Sequence, residues 1–256
     1  MLAIRTQGGF CNRLRAIVSA SLWAEELEKT FEIYWPEEKG HMACRIEEIL
    51  DVKSIPRLTN TKAEFLKGSK QILNTSDMKT MIGLCGNDPI RIQSYSIFHD
   101  DFARATPKAV KLLQSIKILP FLESKADADA DADAESYKIP PKCIGIHIRR
   151  TDHTNCIKAS PLSAFERKIT ELLEKDPTLV FFLSTDDMEV KRNFQAMFGP
   201  SILSPVQSLG RFTKEQQLYG IIDWLLLQKC SKILASRGSS FSELAAMRAG
   251  IPLELI

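Results

Sequence analysis

The stretch Cys143–Asp152, CIGIHIRRTD, constrains the fold more than any other part of the chain. Ile144, Ile146 and Ile148 are β-branched, and the run stays largely apolar until Arg149, which is typical of a strand buried on both faces of a parallel sheet. Two arginines, a threonine and an aspartate then follow at once. Because open α/β sheets bind ligands at the carboxyl ends of their strands, this stretch predicts a charged site at such an edge.

The charge at this edge has two interpretations. Arg149 and Arg150 stay protonated at neutral pH, and their planar forks match the geometry of a pyrophosphate. Alternatively, Asp152 forms an internal ion pair with them and closes the end of the sheet, since charged clusters are also structural. The segment alone leaves both interpretations open.

Composition excludes several classes of protein. The chain of 256 residues is 44% hydrophobic and 26% charged, as in an ordinary globular protein with one large or two small domains. The net charge of +2 argues against a nucleic-acid partner. We expect no membrane span and a cytoplasmic location, because no apolar run reaches about 18 residues and no signal peptide follows Met1. Six scattered cysteines without CxxC pairs predict reduced thiols and no zinc site.

A low-complexity segment divides the chain. Lys125–Glu135, KADADADADAE, alternates alanine and aspartate and can bury almost nothing, which favours a solvated linker over the alternative of a frayed acidic helix. We therefore predict an α/β protein with a domain at 1–125, an acidic Ala/Asp linker at 126–141 and a domain at 142–256. Two Rossmann-like domains with parallel sheets, facing one another across a cleft, are the expected arrangement.

Strands and helices alternate regularly in the second half, which predicts a parallel, right-handed, Rossmann-like sheet. The expected strands are Cys143–Ile148, Leu179–Leu183, a short one near Ile202, Ile233–Ala235 and Leu253–Ile256. The expected helices are Leu162–Lys175, Met188–Met197, Thr213–Gln228 and Phe241–Arg248.

The first half predicts a looser version of the same architecture. Lys39–Gly86 carries no pattern that assigns it to a helix or a strand. Around it, the pattern predicts strand Leu2–Arg5, a turn at Gly8–Gly9, helix Asn12–Leu27, strands Phe31–Trp35 and Ile90–Phe98, and helix Pro107–Ile116.

Two more strand–turn–helix junctions are candidate anion sites, because the first turn of a helix presents unpaired N–H groups. In the first, Gly8 and Gly9 let the backbone approach a ligand, and Asn12 and Arg13 add donors; a plain glycine turn with a surface arginine is the alternative. In the second, serines crowd Ser236–Glu243 after a buried strand.

The serine-rich junction also has a structural interpretation. Ser240 and Glu243 fit the S-x-x-E capping box. A helix cap needs only one serine, however, and Ser239 and Ser242 lie at the same helix end. The sequence therefore favours contact of these serines with a phosphate, in addition to capping.

Missing motifs narrow the class of enzyme. No G-x-G-x-x-G follows a predicted strand, and neither GxxxxGK[ST] nor G-x-S-x-G occurs. What remains is a site that binds a diphosphate with arginines and helix ends and without a metal. Such a site is expected of a transferase that uses a sugar nucleotide.

Four motifs together resemble a known family. They are Gly8–Arg13 (GGFCNR), His147–Asp152 (HIRRTD), Thr185–Asp187 (TDD) and Ser239–Phe241 (SSF). Their order is similar to that in the GDP-fucose-dependent fucosyltransferases, which include α1,6-fucosyltransferases, nodulation fucosyltransferases and protein O-fucosyltransferases. The resemblance covers the amino-terminal turn and nearly the whole second half.

This resemblance implies a GT-B fold, in which 1–125 is the acceptor-side domain and 142–256 binds the nucleotide sugar. The implied reaction transfers fucose from GDP-β-L-fucose to a glycan acceptor, with inversion at the sugar carbon. The resemblance also implies that the reaction requires no metal and no cofactor, with GDP-fucose as the donor substrate.

The resemblance also implies roles for single residues. Arg149 would bind the β-phosphate with the Gly8–Gly9 backbone and Ser240, while Arg150 and Asp152 brace the loop and the site. The two arginines, Asp152 and His153 form the predicted catalytic set. His147 would touch guanine or ribose. The other members of the implied donor-binding set are Asn12, Arg13, Asp186, Asp223, Ser239 and Phe241.

Asp223 on the long helix would accept hydrogen bonds from guanine N1 and N2. The alternative is a carboxylate packed near Trp224 with no ligand role.

The catalytic base is where the chain departs from the family pattern. Longer members carry an acidic residue soon after R-R-T-D, whereas in this chain no carboxylate lies between Asp152 and Glu166. His153 is able to accept a proton near neutral pH, although a solvated loop histidine is the alternative. Asp186 and Asp187 are further candidates, unless they cap the next helix.

Two other functions fit the sequence. One is a GT-B transferase with another donor, such as GDP-mannose or a deoxysugar nucleotide. The other is a non-catalytic module that binds a nucleotide sugar or a glycan.

Overall fold

The protein forms two compact units, Met1–Leu119 and Pro120–Ile256. The computed structural model describes residues 1–38, 40–61, 70–72, 89–94, 96–127, 138–151, 154–204, 209–210 and 212–256. Each unit contains a five-stranded sheet whose described strand pairs are all parallel. The predicted α/β class with two parallel sheets is therefore confirmed.

The first unit is built around a sheet of order β3-β2-β1-β5-β4. Its elements are β1 (Leu2–Thr6), α1 (Phe10–Glu26), β2 (Phe31–Tyr34), β3 (Leu58–Asn60), β4 (Lys70–Ile72), β5 (Ile90–Ser94), α2 (Asp100–Ala103) and α3 (Pro107–Ser115), with short 3₁₀ turns at Ile46–Glu48 and Val52–Ser54. The chain places β2 and β3 on one side of β1 and β5 on the other, so the strand order reverses at β1. In such sheets the ligand crevice lies beside the strand at which the order reverses.

The second unit repeats this plan with the order β10-β9-β6-β7-β8. Its elements are α4 (Pro120–Asp127), β6 (Ile144–Ile148), α5 (Thr154–Ala159), α6 (Leu162–Lys175), β7 (Phe181–Thr185), α7 (Met188–Phe198), β8 (Ile202–Leu203), α8 (Lys214–Leu227), β9 (Lys232–Ala235), α9 (Ser240–Ala249) and β10 (Leu253–Leu255). Here the strand order reverses at β6, the strand that ends in the two arginines.

The two faces of β6 pack against different helices. Ile144, Ile146 and Ile148 are buried in one cluster with Phe165 of α6 and Phe194 of α7. The alternate residues point to the opposite face, since side chains alternate along a strand. There a Cβ atom on Gly145 would lie 2.8 Å from Leu227 Cδ2 at the end of α8, so glycine allows α8 to pack closely on the sheet.

The boundary between the units differs from the predicted domain limits. The helix α4 belongs to the second unit, because Leu122 and Ala126 are buried and α4 packs on α8. The predicted limit at residue 125, where the alternation of alanine and aspartate begins, therefore divides this helix. Residues 128–137 of the predicted linker lie outside the described residues, and the linker stays a prediction.

Most predicted elements occur within one or two residues of their expected ends. The helix Leu162–Lys175 has the predicted bounds, and β3 and β4 lie within the unassigned segment Lys39–Gly86. The N-cap of α6 is Pro161, and the preceding Ser160 donates from Oγ to the Ile256 carbonyl at 2.6 Å and does not cap the helix. Among the described helices, none combines the length and the apolar character needed to cross a membrane.

Replacing Gly145 with valine is expected to destabilise the second unit. The new side chain would press on Leu227 and on Cys230 Sγ, which lies 3.3 Å from the added Cβ position. Such overpacking costs about 1–3 kcal/mol, measurable as a lower urea midpoint. The control is Gly220→Ala in α8, where no atom lies within 4 Å of the new Cβ. Alanine there is expected to raise stability by about 0.5–1 kcal/mol. Equal midpoints for wild type and Gly145→Val would contradict the close packing of α8.

Candidate functional site

The strongest candidate site lies in the second unit, at the carboxyl ends of β6, β7 and β9. The backbone N–H of Arg149, directly after β6, donates to Ser236 Oγ at 3.2 Å, directly after β9. Ser236 is fully buried, so this bond fixes the ends of the two strands to each other. The loop that carries the arginines therefore starts from a fixed point at the strand-order reversal.

Asp186 holds this loop from the neighbouring strand. Its carboxylate accepts from the Arg150 N–H at 2.7 Å, from the Thr151 N–H at 3.3 Å and from Thr151 Oγ1 at 2.7 Å. The next carboxylate, Asp187, caps α7 by accepting from the N–H groups of Glu189 and Val190. Both aspartates thus act on protein groups, and neither contact identifies a catalytic base.

The two arginines have different surroundings. Arg150 donates from its guanidinium to the carbonyls of Ile157 at 3.3 Å and Ser160 at 2.6 Å, which ties the loop to the far end of α5. Arg149 is half-buried, and its positive charge helps to lower the pKa of His147. The predicted catalytic residues Asp152 and His153 lie outside the described residues.

His147 is a buried, neutral ring at the end of β6. It stacks on Phe241 with ring centroids 4.8 Å apart, and its Nδ1 lies 3.2 Å from Ser242 Oγ. Burial lowers the pKa of His147 to about 4; the negative charge of Asp186 opposes this shift and the positive charge of Arg149 adds to it. The ring is therefore uncharged at neutral pH.

Asp223 lies on the same face of the sheet as His147. Ser184, which hydrogen-bonds to Asp223, is the register partner of His147 on the adjacent strand. Burial raises the pKa of Asp223 to about 7, while the hydrogen bond from Ser184 and the charge of Lys191 oppose the shift. Among the described residues, Asp223 Oδ1 is buried without a hydrogen-bond partner, which an isolated carboxylate tolerates only at a cost in free energy.

The amino terminus of α9 is buried and carries hydrogen-bond donors that its own side-chain cap does not use. The N-cap is Ser239, whose side chain makes no cap hydrogen bond, and its buried Oγ has no partner among the described residues. The predicted capping box with Ser240 as the cap was wrong, because Ser240 is already the first residue of the helix. N–H groups at a helix start and a hydroxyl beside them are the kind of donors that a phosphate oxygen accepts from.

The glycine turn of the first unit has a strict geometry. Gly8 has φ +73°, and a Cβ atom there would lie 2.9 Å from Asn12 Nδ2. Gly9 is the N-cap of α1, which has no side-chain cap hydrogen bond either. An open depression of about 460 Å³ lies beside this turn, lined by Gln7, Gly8, Asn12, Glu38 and His41.

Arg13 is fully buried and supports this turn from inside the unit. Its guanidinium donates to the carbonyls of Gly8 at 2.7 Å and Pro36 at 2.8 Å, and to Glu38 Oε2 at 3.1 Å. Burial lowers the pKa of Arg13 to about 10; Glu38 opposes the shift and Arg5 adds to it. The alternative of a surface arginine was wrong. We therefore assign Arg13 to the shape of the turn, although the sequence predicted a donor-binding residue.

A cluster of two acidic residues and one histidine in the first unit does not suit a metal ion. Among the described residues, Glu26, His99 and Asp101 bring three possible ligand atoms within 4.8 Å of one another. His99 Nδ1 accepts from the Asp101 N–H at 3.2 Å, which leaves Nε2, 3.1 Å from Glu26 Oε1, as the nitrogen that carries a ring proton. A protonated nitrogen has no lone pair to offer a metal. The expectation that no metal is required stays a prediction.

Comparison with known proteins shows a likeness in structure. No protein-family model matches the chain, and no curated protein matches it in sequence. NodZ α1,6-fucosyltransferase soaked with GDP-fucose is similar over 96% of this chain and 91% of that one, with a TM-score of 0.66 and 16% identity. The fucosyltransferase NodZ from Bradyrhizobium matches over 95% and 91%, with a TM-score of 0.64 and 16% identity.

POFUT1 in complex with GDP-fucose is also similar in structure. It matches over 100% of this chain and 97% of that one, with a TM-score of 0.64 and 8% identity. At these identities the likeness establishes the fold, and the predicted GT-B-like class is confirmed.

Arg13→Ala is expected to destabilise the first unit by about 2–6 kcal/mol, because the carbonyls of Gly8 and Pro36 lose a donor at a cost of about 1–3 kcal/mol each. The matched control is Arg45→Ala, since Arg45 also pairs with a glutamate, Glu48 at 3.2 Å, but its side chain is 65% exposed. Little change is expected there. Urea unfolding followed by circular dichroism measures both variants. Equal losses of stability in the two variants would contradict the role given to Arg13.

Proposed function

We propose that this protein is a glycosyltransferase that transfers fucose from GDP-β-L-fucose to a glycan acceptor, with inversion and without a metal ion. One observation carries the proposal. At the strand-order reversal of the second unit, the arginine loop and the amino terminus of α9 come to the same edge of one sheet as two buried groups suited to a nucleoside, His147 and Asp223.

The diphosphate would bind at the arginine loop. Arg149 supplies a permanent positive charge, and the N–H groups of α9 with the hydroxyls of Ser239 and Ser240 supply hydrogen bonds. Breaking the bond between fucose and GDP places negative charge on the β-phosphate. Fixed positive groups aimed at those oxygens lower the barrier to this step and can replace a divalent metal.

The guanine base would bind at Asp223. An ionised carboxylate accepts hydrogen bonds from the N1–H and N2–H groups that guanine offers side by side. The buried Oδ1 atom without a partner would gain one in this way. Uracil and thymine present a single N–H between two carbonyl oxygens, which repel a carboxylate, so this contact favours a GDP-sugar over UDP- and dTDP-sugars.

Other predicted residues take supporting roles in this proposal. Asp186 and Arg150 hold the loop of Arg149 in place through hydrogen bonds to protein groups. Asn12 and the Gly8–Gly9 turn stay predicted contacts of the donor, and Phe241 supports the ring of His147. Asp152 and His153 stay the predicted catalytic partners of the arginines.

Transfer is tested by incubating the protein with GDP-fucose and an array of glycans, in the presence of EDTA. Released GDP together with a mass gain of one fucose on an acceptor is the expected result. Arg149→Ala should lower kcat/KM by about tenfold to a few hundredfold, because charge-assisted hydrogen bonds contribute about 1.5–3 kcal/mol each. The matched control is Arg167→Ala on the exposed side of α6, which should leave the rate unchanged.

Two results would contradict this proposal. GDP binding without transfer to any acceptor would favour a binding module. A faster reaction with GDP-mannose than with GDP-fucose would favour the other donor. An anomeric NMR assay of the product decides between inversion and retention.

GDP affinity is expected to rise with pH between 6 and 8. The pKa of Asp223 is raised to about 7 in the unliganded protein, and guanine needs the carboxylate, so binding releases a proton. Below the pKa, affinity should fall by at most about tenfold per pH unit. Calorimetry in buffers of different ionisation enthalpy measures both the affinity and the released proton.

The control for this pH dependence is Asp223→Asn. This variant should keep only the shallow dependence that comes from the phosphate of GDP itself, whose second pKa is about 6.

A protein stability measurement provides a check without ligand. The folded protein holds the Asp223 proton up to about pH 7, whereas the unfolded chain releases it near 3.9. Stability should therefore fall as pH rises between these values in wild type and not in Asp223→Asn.

A further inference from the structure

We propose that Ser242 is a positioning residue that fixes the tautomer of His147, so that Nε2 of the ring accepts a hydrogen bond from an N–H or O–H group of the bound nucleoside. This inference rests on the proposed function for its ligand. Its structural part, the tautomer, concerns the protein alone.

The direction of the hydrogen bonds around Ser242 follows from its single hydroxyl proton. Ser242 is fully buried, and its Oγ lies 3.4 Å from the carbonyl oxygen of Ser239 and 3.2 Å from His147 Nδ1. A carbonyl oxygen only accepts, so the hydroxyl proton goes to Ser239. Nδ1 must then donate to Ser242 Oγ for the second bond to exist. The chain therefore runs from Nδ1–H to Oγ–H to the Ser239 carbonyl.

The position of the second ring nitrogen follows from the charge of the ring. A neutral imidazole carries one proton, and the bond to Ser242 places it on Nδ1. The ring is neutral at pH 7 because burial lowers the pKa of His147 to about 4, although Asp186 acts in the opposite direction. Nε2 therefore keeps its lone pair and is an acceptor.

The ring is also held in orientation. Phe241 stacks on it at 4.8 Å, and the carbonyl of Phe241 in turn accepts from Trp224 Nε1 at 3.1 Å. Among the described residues, Ser242 is the hydrogen-bond partner of the ring, and the structure gives Nε2 none. A fixed acceptor without a partner beside the proposed base-binding carboxylate is suited to a donor group of the ligand.

This arrangement discriminates between ligand groups. An Nε2 lone pair attracts a ribose hydroxyl or a base N–H and repels an atom that only accepts, such as a phosphate oxygen or a base carbonyl. The reverse tautomer would have the opposite preference. Ser242 thus affects how the nucleoside lies without touching it, because it acts through His147.

The tautomer is measured directly on the ligand-free protein. The chain has four histidines, so ¹⁵N-labelled histidine gives few signals in a long-range ¹H–¹⁵N spectrum. His147 should be protonated on Nδ1 at pH 7 in the wild type, and Ser242→Ala should move it toward the Nε2–H form. Ser242→Thr, which keeps a hydroxyl, should preserve the wild-type tautomer. The matched control is Ser204→Ala, since Ser204 is also buried and donates to a carbonyl, that of Leu183 at 3.1 Å.

Binding is then measured by calorimetry with GDP and with 2′,3′-dideoxy-GDP. Ser242→Ala should weaken GDP binding by about two- to tenfold, since one hydrogen bond contributes about 0.5–1.5 kcal/mol net. A penalty that disappears with the dideoxy nucleotide identifies a ribose hydroxyl as the donor, and a penalty that persists identifies a base N–H.

The outcomes separate the two proposals. If wild type shows the Nδ1–H tautomer and does not bind GDP, the proposed function fails while the tautomer assignment stands. If wild type binds GDP but His147 is protonated on Nε2, or if Ser242→Ala changes neither tautomer nor affinity, this inference is wrong and the proposed function is unaffected.

Discussion

The alternation of side chains along β6 is the constraint on which the second unit depends. Ile144, Ile146 and Ile148 bury one face of the strand against α6 and α7. Gly145 leaves room on the other face for the end of α8, which brings Asp223 of the same helix to the face that carries His147. A shift of one residue in this register would exchange the faces and place isoleucine where the nucleoside is proposed to bind.

The polar groups at the ends of these strands are buried at a cost in stability. Asp223 and Ser239 each bury an oxygen that has no partner among the described residues, and an unsatisfied buried group costs about 1–3 kcal/mol. A fold tolerates such groups where a ligand satisfies them. Both lie near one edge of one sheet, whereas the buried serines that only support the backbone, such as Ser204 and Ser236, have protein partners. The first unit also contains a buried serine oxygen without a partner among the described residues, Ser21 Oγ, so the unsatisfied oxygens of the second unit support a ligand role only together with their position at this edge.

Much of the fold follows from the sequence, because buried strands and amphipathic helices have local patterns. The helix Leu162–Lys175 and the strand ending at Ile148 were predicted on that basis, and the arginine loop was placed at the correct edge. The hydrogen bonds from Arg13 to the Pro36 carbonyl and to Glu38 were not predicted, because they join residues that are 23 and 25 positions apart and leave no local pattern in the sequence. The capping motif misplaced the start of α9, since the turn at Gly238, with φ +73°, sets which serine becomes the N-cap.

A transfer without a metal would require that the charged groups around the leaving phosphate be held rigidly. A divalent ion concentrates two positive charges at one point, whereas an arginine and a helix terminus deliver partial charges from different elements, and their effect on a leaving phosphate depends on their staying aligned. The loop after β6 meets this demand with bonds to protein groups: Ser236 holds the N–H of Arg149, and Asp186 accepts from the next two N–H groups. Arg150 adds its guanidinium to this support by donating to the carbonyl of Ile157 in α5 and to that of Ser160 directly after the helix. Arg150 thus stabilises the loop that carries Arg149, the residue proposed to act on the ligand. A lysine in place of Arg150, with no planar fork, could not hold both carbonyls in the same geometry.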